Sequence, residues 1–175
     1  MTDALLIIDM QLVAFDGQVT PAIIDGDSVV NATVQLLAVC RRAGLHIIYI
    51  QTRAISGQPY AEDVHGWQIH PDLTVLDTDT LVYKQDSSGF AGTNLHDVLS
   101  GLEVRSFIAC GIWSQFCVAN TAKDGLALGY EVYLAADAHG TVADSESEAR
   151  AIVAEQNQNR QFKVYSVSEL QQLLN

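Results

Sequence analysis

The stretch FIACGIWSQFCVANT, Phe107 to Thr121, decides the fold. Phe107, Ile108, Ala109 and Cys110 form a short apolar run of the kind buried parallel strands show, and Gly111 breaks it before five residues of turn. Val118, Ala122, Leu126 and Ala127 then recur at helical spacing, and Gly129 stops the helix. Strand, turn and helix in this order put Cys117 in a first helical turn at the edge where open α/β sheets hold ligands. Unpaired N–H groups and the positive end of the helix dipole favour an anion there, so a lowered thiol pKa is expected. Cys40 and Cys110 read as structural thiols, packed like small hydrophobes.

Outward from that stretch the pattern alternates strand and helix. Ala4 to Ile8 is an apolar run with Asp9 at its tip, a buried first strand ending in a carboxylate. Gln11 to Asp25, with Gly17 and Pro21, reads as a loop whose Phe15 is available to cover a pocket. Asp25 or Asp27 caps a helix that buries Val30, Val34, Leu37 and Ala38 and ends at Gly44, and Leu45 to Ile50 is strand two. Gln51 to Thr80 is a long connection, of a length that usually signals function. Leu81 to Tyr83 is a short third strand that delivers Lys84, followed by a helix from about Asn94 to Ser100. Val104 to Cys110 is strand four and Glu131 to Ala135 strand five, with DAHGT as the next turn. A helix over 143–157, a strand over 162–165 and a last helix capped by Ser168 complete the chain.

Such alternation predicts one α/β domain over 1–175, a three-layer α/β/α, Rossmann-like arrangement with a six-stranded parallel sheet and right-handed crossovers. The 175 residues, 49% of them hydrophobic, suffice for one core. No window reads as a membrane span and no basic region precedes the first apolar run, so a cytoplasmic protein is expected. Three cysteines without a CxxC pair support neither a disulfide framework nor a zinc ribbon. A formal charge of −12 argues against nucleic acid and membrane partners and leaves a small-molecule substrate.

In a parallel sheet all strand C-termini share one edge, so Asp9, Lys84 and Cys117 can converge there. Asp9 can accept the thiol proton, while Lys84 and the helix N-terminus stabilise thiolate. A bare ion pair between Asp9 and Lys84 at the sheet edge is the plainer alternative. Against it, Lys84 directly follows a buried strand, a costly place for an ammonium without a carboxylate partner.

With these residues in view the chain resembles the isochorismatase-like cysteine hydrolases, which include nicotinamidases, N-carbamoylsarcosine amidohydrolases, ureidoacrylate hydrolases and streptothricin hydrolases. The resemblance rests on ALLIIDMQ, with Asp9 and Gln11, on YKQDSSGFAGTNL, with Lys84, and on CGIWSQFCVANTAKDGLALGYEVYLAADA, with Cys117. It implies an Asp-Lys-Cys triad on Asp9, Lys84 and Cys117, an isochorismatase-like hydrolase fold, and assembly as a homo-oligomer, dimer or tetramer. It also implies a cis peptide between Ile112 and Trp113, an oxyanion hole from the N–H groups of Trp113 and Cys117, and C–N bond hydrolysis through a Cys thioester without a cofactor.

Metal-binding nicotinamidases carry an Asp-x-His pair after strand two, where this chain has Gln51 and Arg53, so no metal is expected. His65 and His70 read as surface or pocket residues, with Asp63 and His65 as the remaining possible ligand pair, and His139 falls in the turn after strand five. Gln11, Phe15, Trp67, Phe90, Trp113 and Phe116 are the candidate substrate-pocket residues. The leading reading is a cysteine hydrolase acting on a small amide, ureido compound or lactam. Vinyl-ether hydrolysis of isochorismate is a second reading, opposed by Cys117, since siderophore-type isochorismatases lack a nucleophilic cysteine. A catalytically silent binding protein on the same fold is the third, because fold alone does not imply function.

Overall fold

The run ALLII (Ala4–Ile8, β1) is buried at every position and is flanked on both sides by strands, which is why its sequence shows no polar alternation. The computed structural model describes residues 2–175. After β1 and a 3-10 turn (Leu12–Ala14) come α1 (Gly26–Arg42), β2 (His46–Thr52), β3 (Thr80–Lys84), α2 (Leu95–Gly101) and β4 (Ser106–Ile112). One turn of π-helix (Ser114–Val118) leads into α3 (Ala119–Ala127), then β5 (Glu131–Gly140), α4 (Glu146–Asn157), β6 (Lys163–Tyr165) and α5 (Val167–Leu174).

All strand pairs are parallel, in the order β3-β2-β1-β4-β5-β6. The chain builds outward from β1 to β3, then returns to place β4 on the other side of β1. That reversal opens a crevice at the C-terminal ends of β1 and β4, the place where open sheets bind ligands. Two apolar clusters cover the faces. Leu5 and Ile7 pack with α1 and α5 residues such as Leu36, Val167 and Leu170, while Ala4, Leu6 and Ile8 pack with Leu95, Leu99, Val118 and Ala122 of α2 and the Cys117 region. Among the described residues, no helix is long and apolar enough to cross a membrane.

The structure corrects several boundaries. β2 runs on through Gln51 and Thr52, so the connection read from residue 51 starts later. DAHGT is largely strand: β5 reaches Gly140 by bulging between Leu134 and His139, which pair with Ala109 and Gly111 of β4. The bulge interrupts the apolar pattern, and sequence reading takes the interruption for a turn. Asp25 stands at the start of α1 without capping it, because its carboxylate pairs with Arg150. Ser166, not Ser168, caps α5, in a capping box with Glu169. Cys117 lies in the π-turn before α3, not in the first turn of an α-helix.

Gly111 shows how closely β1 and β4 approach at the crevice. Its φ is +114°, and a Cβ would fall 2.0 Å from the Ile8 carbonyl oxygen. Gly111→Ala should therefore cost about 4 kcal/mol or more, or abolish folding, as read from the urea unfolding midpoint; a midpoint like wild type would refute the close approach.

Candidate active site

Strand parity brings Lys84, one of the three expected side chains, to the same face as Thr52. Lys84 follows Val82 at a two-residue step on β3, and Thr52 follows Ile50 on β2, all on the face covered by α2 and α3. Strict alternation would send Asp9 the other way, with Leu5 and Ile7. A left-handed residue breaks the alternation: Asp9 has φ 51°, while its N–H still donates to the Ile50 carbonyl at 2.8 Å. Its carboxylate thereby meets Lys84.

Lys84 Nζ lies 2.8 Å from Asp9 Oδ2 and donates to Cys117 Sγ at 3.3 Å, to Thr52 Oγ1 at 2.9 Å and to the Asp86 carbonyl at 3.1 Å. Thr52 Oγ1 in turn donates to Asp9 Oδ1 at 2.9 Å. Asp9 is 1% exposed, Lys84 2% and Cys117 8%. The contact to Oδ2 is an ion pair, and the same carboxylate also faces the Cys117 thiol. Burial by itself would make Lys84 easier to deprotonate, but Asp9 and then Cys117 reverse that, and the ammonium is held more firmly than usual. Thr52 is the residue that sequence reading missed here: a threonine at a strand end carries no signal until β2 is seen to reach it.

Cys117 departs from expectation in one respect. Its thiol is pushed up to about 11, first by burial and then by the Asp9 charge, against which Lys84 works in the opposite direction. The resting group is therefore a thiol with Asp9 beside it, not a standing thiolate. The π-turn shapes the backbone around it: the Trp113 carbonyl accepts the N–H groups of Phe116 and Val118, each at 3.1 Å, which flank Cys117. The peptide between Ile112 and Trp113 is cis.

Known proteins share this chain's sequence pattern and fold. A family model described as the isochorismatase domain matches residues 3–163. The chain belongs to the isochorismatase-like hydrolase family. A streptothricin hydrolase of Streptomyces noursei is 35% identical over 138 residues, which cover 79% of this chain and 54% of the relative. The ureidoacrylate amidohydrolase RutB of Klebsiella pneumoniae is 28% identical, covering 73% of this chain and 68% of the relative. This family member thus spans about half the length of the streptothricin hydrolases it matches. A cysteine hydrolase structure from Pseudomonas syringae superposes with a TM-score of 0.89 over 98% of this chain and 92% of that one, at 22% identity, which establishes the shared fold.

Not every residue expected around the pocket of this isochorismatase-family chain lies there. A cleft of about 250 Å³ reaches Lys84 and is lined by Arg53, Tyr83, Gln85, Asp86, Ala91 and Gly92, none of them among the expected pocket residues. Gln11 is fully buried and spends its amide on backbone: Oε1 accepts the Thr52 N–H at 2.9 Å, and Nε2 donates to the carbonyls of Thr52 and Trp67. It is a clamp rather than a pocket wall. Phe90 packs on Phe107 and Tyr130 in the core of the α2/α3 face, so its ring is committed to packing. Phe15 packs against the α1-side core and meets the His70 ring edge-on, while Trp67 stacks on Tyr83 and donates its indole N–H to the Thr52 carbonyl. Trp113 packs against both clusters beside Cys117, and Phe116 is 56% exposed.

The polar loop residues are engaged separately. Arg53 stacks over Tyr83 and pairs with Glu62; His65 bonds Asp16 at 2.7 Å; Asp63 accepts from Ser56 and from the Gly57 N–H. His139 is buried in β5, not in a turn. The Asn157 side-chain N–H₂ donates to the Ala136 carbonyl, so its Oδ1 accepts from His139 Nε2, which leaves Nδ1 to accept from Ser114 Oγ at 2.8 Å. Burial pushes His139 down and keeps it neutral in this role, which anchors the start of the π-turn.

The charges around Cys117 make opposite predictions for its neighbours. Alkylation by iodoacetamide should be slow near pH 7 and climb toward about pH 11. Asp9→Asn should move the climb to lower pH, and Lys84→Met to higher pH, as followed by mass spectrometry of the Cys117 peptide. Shifts of the same sign in both variants would contradict the assignment.

Proposed function

We propose that this chain is a cysteine hydrolase that cleaves a C–N bond in a small amide, ureido compound or lactam through a thioester on Cys117. The observation that carries the reading is the ammonium of Lys84 set between the Asp9 carboxylate, 2.8 Å away, and the Cys117 sulfur, 3.3 Å away, at the crevice between β1 and β4. Relatives named a streptothricin hydrolase and an amidohydrolase support the same chemistry.

In this reading Asp9 takes the proton from the Cys117 sulfur as the sulfur attacks the substrate carbonyl carbon. Asp9 Oδ2, the oxygen not taken by the Thr52 hydroxyl, receives the proton while Lys84 stays beside it. Lys84 stabilises the thiolate as it forms and so offsets the burial that keeps the resting thiol neutral. The N–H groups of Trp113 and Cys117 hold the oxyanion of the tetrahedral intermediate. When the intermediate collapses, protonated Asp9 delivers its proton to the leaving nitrogen, which departs as an amine or ammonia. Water, deprotonated by Asp9, then attacks the thioester. Collapse releases the acid and the Cys117 sulfur, which recovers the proton from Asp9. Thr52 fixes the second carboxylate oxygen so that Oδ2 faces the chemistry. No step calls on a metal or organic cofactor.

Ammonia or amine release across a panel of small amides, ureido compounds and lactams tests the activity. Cys117→Ala, Lys84→Met and Asp9→Asn should each lower kcat by about 10³-fold or more, and double variants should be little worse than single ones. With a good substrate, acid-quenched enzyme should carry the acyl mass on the Cys117 peptide. Efficient turnover with no such adduct and an active Cys117→Ala variant would overturn the covalent route and favour a vinyl-ether type of hydrolysis, which leaves the thiol free. Prolonged chelation should leave turnover unchanged; an activity restored only by added metal would contradict the mechanism.

A further inference from the structure

The loop between β2 and β3 brings to the site a group that the triad chemistry leaves unused. The Tyr60 hydroxyl is buried, and among the described residues no acceptor pairs with its proton. Leaving a buried hydroxyl unpaired is costly, and phenylalanine would fill the same space without that cost. The Tyr60 backbone is also left-handed, φ 70°, a conformation that a bulky residue rarely adopts and that tends to mark functional sites. Its carbonyl accepts the Ala54 N–H at 3.1 Å, which holds the turn in that shape.

The ring packs against the same cluster as Trp113. Burial, together with the charges of Asp9 and Cys117, pushes the phenol up, so it stays protonated and remains a donor. The Trp113 indole lies beside the Tyr60 oxygen and favours charge on it, as an N–H donor does. An indole N–H can only donate, so the proton of Tyr60 is directed elsewhere.

We propose that Tyr60 is a substrate-binding residue whose hydroxyl donates a hydrogen bond to a second, neutral acceptor on the substrate, a carbonyl or ureido oxygen next to the scissile amide. The inference rests on the hydrolase reading above, in which backbone N–H groups take the scissile oxygen. An anionic acceptor is disfavoured by the adjacent Asp9 carboxylate and by the chain's formal charge of −12. Tyr60 thereby selects N-acylureas and similar diacyl nitrogen compounds over simple amides. A site that holds a buried donor for such an oxygen also rejects substrates lacking it, because the donor is then left unpaired.

The test compares N-acetylurea with acetamide, using wild type, Tyr60→Phe and Cys117→Ala. Wild type should prefer N-acetylurea. Tyr60→Phe should lower kcat/KM for N-acetylurea by about tenfold or more and change that for acetamide by less than about twofold. Its Tm should equal or exceed that of wild type, because the substitution removes an unpaired buried hydroxyl. No loss on N-acetylurea, an equal loss on both substrates, or a Tm lowered by several degrees would each overturn the role of Tyr60. Cleavage by wild type but not by Cys117→Ala would leave the hydrolase reading standing in all those cases. A wild-type enzyme that cleaves neither compound nor any member of the wider amide panel would bring down both.

Discussion

A buried ammonium is the constraint on which the rest of the site depends. Lys84 has lost its water, and replacing that hydration takes a carboxylate from the tip of β1, a hydroxyl from the end of β2, a carbonyl from the turn after β3 and a sulfur from the turn after β4. Desolvating an ion costs several kcal/mol, recovered only when the geometry of the partners is good. The four elements therefore have to end where they do. The Gly111 close approach, the left-handed Asp9 and the extension of β2 to Thr52 all serve that one meeting point.

In the proposed hydrolase the same cluster would separate storage of the nucleophile from its use. With the thiol protonated, the cluster holds one ammonium against one carboxylate 2.8 Å away, an arrangement that suits a buried site. Moving the thiol proton to Asp9, as the proposed reaction requires, would leave a thiolate facing an ammonium, again an arrangement without net charge. Proton transfer inside the cluster therefore changes which partner Lys84 compensates, not the total charge buried. The Ser114–His139–Asn157 chain supports the turn from behind without joining the exchange, since its imidazole is neutral and both ring nitrogens are occupied.

Much of this was legible in the sequence because apolar runs ending in a charged residue are unusual. Ala4 to Ile8 before Asp9 is such a run and is buried throughout; Leu81 to Tyr83 before Lys84 reads the same way, yet β3 is an edge strand with Leu81 and Tyr83 exposed, and only Val82 and Lys84 turn inward. Cys117 is marked by its position between a strand and a helix, a position that suggests a lowered thiol pKa, but the burial that raises it instead has no signature in the sequence. The aromatic residues were harder, because a phenylalanine looks the same whether it lines a pocket or packs on Phe107, as Phe90 does. Thr52, Gln11 and Tyr60 had no periodic signal at all. Each acts through a bond or a missing bond to residues distant in sequence, and such pairings exist only once the chain is folded.

Gln11 bears on the long connection in a different way. Its amide reaches the Trp67 carbonyl, Leu12 and Val13 bond to the carbonyls of Gln68 and Gly66, and His70 bonds back to Met10. The segment from β2 to β3 is thus stitched down at its midpoint, and it behaves as two short arches rather than one long one. Closing two short arches onto fixed ends costs chain entropy in separate, smaller portions. The far arch has anchors of its own, Leu73 in the core and Arg41 on Thr74 and Asp79, so it holds its shape independently of the near arch that carries Arg53 and Tyr60.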